Sequence, residues 1–128
     1  MFHNEFKKHG IDVMIMPSLP LPALNHSESS ELAIICLFYT AIFNLIDVAV
    51  GVIPLRLIKK GEDVYKDEAH KSEPLTKKII NSMKGSEGLP VTMQVVGLRG
   101  DEEKVLGCME HMKNLSEINQ NVLLHKLR

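Results

Sequence analysis

Apolar positions are unevenly spread along this chain, and the densest run, Leu32 to Pro54 (LAIICLFYTAIFNLIDVAVGVIP), constrains the arrangement of everything else. Apart from Asn44 and Asp47 it holds no strongly polar side chain. Its first half, with Leu37, Phe38, Ile42 and Leu45, is helix-like; its second, Val48 to Ile53, is rich in valine and small residues and predicts a strand stopping at Pro54. Ser27, Ser29 and Ser30 are N-cap candidates and Glu28 and Glu31 suit a first helical turn, so a helix from about Glu31 to Ile46 is expected. Nearly every face of that helix is apolar, which requires enclosure by protein or lipid.

Around this run the pattern alternates between strand and helix. Phe2 and Phe6 stand one helical turn apart and Gly10 is placed as a helix stop. Ile11 to Met16, bounded by Gly10 and Pro17, reads as a short strand buried on both faces. The prolines of Pro17 to His26 remove ladder donors and disfavour helix before them, predicting an extended loop. Arg56 to Lys71 is charged, without apolar period, and predicts a solvated excursion. Pro74 near a first turn, a stripe of Leu75, Ile79 and Met83, and Gly85 predict a third helix. Val91 to Val96 predicts the third strand, and Asp101 is the expected cap of a last helix with Val105, Met109, Met112 and Leu115 on one face. Three apolar strands need covering on both faces, yet only the last two helices are ordinary amphipathic covers. That mismatch predicts part of a larger fold, with residues 1–115 as one segment and 116–128 as a helical or frayed tail.

Composition narrows the partners. With 15 Lys and Arg against 16 Asp and Glu there is no basic patch for nucleic acid and no acidic tail. Cys36 and Cys108 sit among apolar residues and are expected to be reduced core thiols. The first ten residues, MFHNEFKKHG, lack the apolar core of a signal peptide, so an intracellular chain, cytoplasmic or peripheral to a membrane, is expected.

Candidate chemistry is sparse. No G-x-S-x-G elbow is present, and Gly85-Ser86-Glu87-Gly88 reads as a helix stop and turn. The six histidines form no H-x-x-x-H or H-x-H pair, so no metal site is predicted, and Gly97 and Gly100 lack the spacing of a phosphate loop. Asn44 and Asp47, three residues apart at the end of the long helix, are read as a polar hinge that ties the helix end to the following loop.

The ordered set Tyr39 to Asp47 (YTAIFNLID), Val50 to Pro54 (VGVIP), Gly88 to Gly97 (GLPVTMQVVG) and Glu102 to Leu106 (EEKVL) resembles the C-terminal part of the amidase signature family, most like fatty acid amide hydrolases. Asp12 to Pro17 and Pro22-Ala23 resemble the strand and loop that precede this helix in that family, extending the likeness over roughly Phe2 to Leu115. Ala49 stands where the family has Pro, and Arg99-Gly100 where it has Pro-Trp. The resemblance implies an α/β fold, an incomplete C-terminal portion of a mixed β-sheet covered by helices. It also implies that the family's catalytic Ser-Ser-Lys set lies outside this chain, so that no residue here is catalytic and no cofactor is called for. The expected partners are an apolar acyl amide substrate, the N-terminal portion of the amidase domain and, for the complete enzyme, a membrane surface. On that basis the Ile34, Leu37 and Ala41 face is the candidate contact for a substrate tail. Two rival readings stand beside this one: a small protein spanning a membrane once through about residues 32–53, and a non-catalytic lipid-binding remnant.

Overall fold

The computed structural model describes residues 2–24, 26–116 and 118. The chain opens with α1 (Phe2–His9), held at its start by the Phe2 and Phe6 rings with centroids 4.6 Å apart. Gly10, at φ 62°, turns the chain out of α1 while the Ile11 N–H returns to the Phe6 carbonyl at 2.9 Å. Then follow β1 (Met14–Pro17), α2 (His26–Leu45), β2 (Val50–Leu57), α3 (Pro74–Met83), β3 (Pro90–Val96) and α4 (Glu102–Leu115). The architecture is mixed α/β, as the resemblance implies.

The strands form one antiparallel sheet in the order β1-β3-β2, with Ile15 and Gly51 both opposite Val95 and with Met16 and Val52 both opposite Gln94. Side chains alternate along the central strand and so serve two different covers. Val95 is fully buried and packs with Ile53, Val105 and Met112 under α4, the helix that lies closely on the sheet. Glycine permits that approach: a Cβ at Gly97 would lie 2.7 Å from Val105 Cγ2, and one at Gly51 would run into Met109 Sδ. On the opposite face Gln94, 1 % exposed, donates from Nε2 to the Pro17 carbonyl at 3.0 Å and to the Tyr39 carbonyl at 2.9 Å. One amide thus fastens α2 and the end of β1 to the centre of the sheet.

Several expectations change on contact with this arrangement. β1 is an edge strand with Ile15 48 % exposed, and within this chain it is not covered on both faces. β2 runs through Pro54 to Leu57, because an edge strand tolerates a residue without an N–H and a register shift between Pro54 and Arg56 absorbs it. α2 begins at His26, one turn and more before Glu31. α3 starts at Pro74 as its proline suggests, but Leu75 is half exposed while Thr76 and Ser82 are the buried positions. In α4, Val105 and Met112 are buried and Leu115 is exposed; Asp101 stands at the N-cap without a side-chain cap bond, 3.4 Å from Lys104 Nζ. Of the expected tail, 117 and 119–128 lie outside the described residues.

The single-span reading fails on the backbone. Residues 32–53 are divided between a helix and a strand by a turn at Asp47, whose φ of 54° ends α2. Among the described residues no helix is long and apolar enough to cross a membrane.

Candidate functional site

α2 is anchored at both ends and open in the middle. Leu32 (1 % exposed) and Phe43 (5 %) turn inward, and the Tyr39 carbonyl takes the Gln94 bond. The remaining apolar surface has no cover among the described residues: Ile34 is 66 % exposed, Leu37 57 % and Phe38 76 %. Together with Ala41, Ile42 and Leu45 these residues line an open groove of about 370 Å³ with no charged side chain in its wall. Helical spacing brings Ile34, Leu37 and Ala41 onto this one surface, as their i, i+3, i+7 positions dictate. Phe38, Ile42 and Leu45 were missed in the sequence although the same periodicity marks them, each following its predecessor by three or four residues.

Apolar area of this extent on one helix is unfavourable in water by roughly 25 cal/mol per Å². What the groove offers chemically is a dry, uncharged wall for an aliphatic or aromatic group; it holds no nucleophile or acid-base residue. Cys36 lies on the same helix, half-buried, and burial pushes its thiol pKa up, away from the reactive thiolate.

The Asn44 and Asp47 side chains are both exposed at the helix end. Asp47 takes a left-handed backbone conformation that turns the chain toward β2, and its Oδ2 lies 3.0 Å from Arg99 Nη1 in the loop after β3. Both partners face solvent, so the pair contributes little stability, although it links the two turns at one end of the sheet. A second groove, of about 460 Å³, opens beside this pair between α1 and the two turns, with Phe2, His3 and Leu98 in its wall. Arg99 therefore supplies a charge partner at a position where the resemblance implies the first residue of a Pro-Trp pair.

The other candidates keep structural roles. Gly85 (φ 76°) and Gly88 (φ 83°) turn the chain from α3 into β3, with Ser86 2 % exposed between them and its hydroxyl unpartnered among the described residues. His9 pairs with Glu5 at 3.3 Å and His70 with Glu73 at 3.0 Å, both at the surface. The Glu73 carboxylate holds the His70 pKa above its ordinary value, while the Lys59 N–H and the Arg56 guanidinium hold the Glu62 carboxyl below its own. His125 lies outside the described residues. Among the described residues no three His, Cys, Asp or Glu side chains gather as a metal site.

Comparison with known proteins gives this apolar site a context. The family model described as Amidase matches residues 1–106. The chain is 29 % identical over 110 residues to fatty acid amide hydrolase 1 of Caenorhabditis elegans, covering 83 % of this chain and 18 % of that protein. It is 32 % identical over 108 residues to fatty-acid amide hydrolase 1 of Sus scrofa, covering 82 % and 18 % respectively. The chain thus spans about a fifth of the length of these relatives.

Proposed function

Because the chain belongs to the amidase family, we propose that it is the C-terminal segment, residues 1–115 followed by a short tail, of a serine amidase hydrolysing fatty acid amides. It contributes core strands and the helix that borders the acyl channel, and leaves the Ser-Ser-Lys chemistry to the remainder of the domain. The observation that carries this reading is the uncovered groove on α2: an uncharged wall of Ile34, Leu37, Phe38, Ala41, Ile42 and Leu45, on a helix otherwise locked to the sheet. Such a wall suits a long alkyl chain, whose burial contributes about 0.8 kcal/mol per methylene. Asn44 and Asp47 serve as the polar hinge that ends the helix and leads the chain into β2. The two relatives named for fatty acid amides support the acyl class, and their greater length supports a partner in the rest of the domain. A membrane surface as a further partner of the complete enzyme fits the same apolar class of substrate.

Binding and turnover are expected to separate. The purified 128-residue chain is expected to bind a fluorescent long-chain fatty acid amide, to ignore an acetamide analogue carrying the same fluorophore, and to hydrolyse neither. Equal affinity for the two would remove the acyl assignment, and measurable turnover would remove the division of labour.

A further inference from the structure

The groove of about 460 Å³ at the turns after α2 and β3 shares no lining residue with the acyl groove of α2. Its size falls within the roughly 300–1,000 Å³ of small-molecule sites. Its wall is apolar, with Phe2, Val48 and Leu98, except where His3, Asp47 and Arg99 enter it.

The backbone sets the Asp47–Arg99 pair in place. Asp47 is the one non-glycine residue at positive φ, 54°, among the described residues, a conformation that aspartate and asparagine accept more readily than other side chains. Arg99 follows Leu98 where the resemblance implies proline, so this charge belongs to the chain's own sequence. The two meet at 3.0 Å through Nη1 and Oδ2 with their side chains 80 % and 73 % exposed, and so remain open to a third group.

The pairing decides what that group can be. A guanidinium only donates and a carboxylate only accepts, and one contact uses only part of each. A carboxylate ligand is drawn to Arg99 but repelled by Asp47, and an ammonium meets the reverse. A primary amide is neutral and carries an acceptor beside a donor, so its oxygen can accept from Arg99 while its N–H donates to Asp47.

We propose that this groove is a second ligand site, which takes the head of a primary amide against the Arg99–Asp47 pair and its alkyl body against Phe2, Val48 and Leu98. The choice of an amide over other neutral groups of the same pattern rests on the reading that the complete enzyme hydrolyses fatty acid amides. The preference over a carboxylate follows from the pair itself. Such a site favours substrate over product, since hydrolysis of a primary amide by water releases ammonia and leaves the carboxylate that Asp47 repels.

Site-resolved NMR titration of the 128-residue chain tests this, with octanamide and octanoate at neutral pH as the probes. Octanamide is expected to shift the backbone signals of Val48, Leu98 and Arg99, and to bind there about fivefold more tightly than octanoate, the scale of one unit-charge repulsion near 4 Å in water. Asp47→Asn keeps a residue that accepts the positive φ and removes the repulsion, so octanoate should gain about fivefold while octanamide does not. Arg99→Ala should weaken octanamide at the Val48 and Leu98 signals by a similar factor. Unchanged Gln94 and Val95 signals in the variants show that the sheet survives; if it does not, octanamide against octanoate on the unsubstituted chain decides. Equal or tighter binding of octanoate overturns the proposal, as does indifference of both ligands to both substitutions. Octanamide shifts confined to Ile34–Leu45 overturn it while leaving the acyl reading in place. No shift in either groove, with the fluorescent long-chain amide also unbound, overturns both.

Discussion

Replacing Gln94 with Leu is expected to destabilise the chain by about 2–3 kcal/mol, the sum of two buried hydrogen bonds lost without compensation. The substitution keeps the side-chain volume close to the original, so packing loss contributes little. Its effect falls on the two carbonyls that Gln94 Nε2 now serves, Pro17 at 3.0 Å and Tyr39 at 2.9 Å. Deprived of a donor in a site where Gln94 itself is 1 % exposed, they lose a partner that water cannot readily replace. The loss should register as a lower urea midpoint with an unchanged slope. Because the bond to Tyr39 positions α2, hydrogen exchange in α2 should rise more than in α4. A change below about 0.5 kcal/mol would mean that α2 is held by something other than this amide.

Leu37→Asp is expected to abolish binding of a long-chain fatty acid amide, lowering affinity by about a hundredfold or more, while leaving the fold as it is. Leu37 is 57 % exposed and has no cover among the described residues, so a carboxylate there remains solvated when the groove is empty. Stability should therefore change by less than about 0.5 kcal/mol, as for other surface substitutions. An alkyl chain laid along the groove would strip that carboxylate of water, an unfavourable step of several kcal/mol. A shift of about 2.7 kcal/mol already corresponds to the hundredfold loss. Leu75→Asp, on the half-exposed face of α3, is the matched control and should bind as the unsubstituted chain does.

Much of this was legible in the sequence where local chemistry decides the outcome. Gly10 and Gly85 end helices because the chain must take a positive φ there, Pro74 opens α3, and the run before Gly97 is a strand. Composition does not show which side of an element this chain itself covers. The run ending at Pro17 has the apolar content of an enclosed strand, yet it forms an edge. Leu75 and Leu115 obey helical periodicity and still face solvent, because α3 does not lie on the sheet and Leu115 sits at the last turn of α4. Pro54 reads as a stop only if its strand is central; at an edge, a bulge carries the strand onward.

The site divides in the same way. Periodicity alone gathers Ile34, Leu37 and Ala41, since three positions on one helix share a face whatever surrounds them. The contacts that fix that helix are long-range and leave no local trace. Gln94 looks like one polar residue in an apolar strand until the register brings Tyr39 and Pro17 to it, 55 and 77 residues away in sequence. Asp47 and Arg99 likewise meet only because the turns after α2 and β3 lie at the same end of the sheet.

If the open face of α2 receives an acyl chain, as proposed, site-mapped photo-crosslinking will place the chain there. A fatty acid amide with a diazirine near the end of its alkyl tail, irradiated with the 128-residue chain, should label Ile34, Leu37, Ala41 or their groove neighbours, with labelling displaced by the unmodified amide. Labelling confined to the proline-walled surface of residues 17–23, or spread over the chain without displacement, would contradict it.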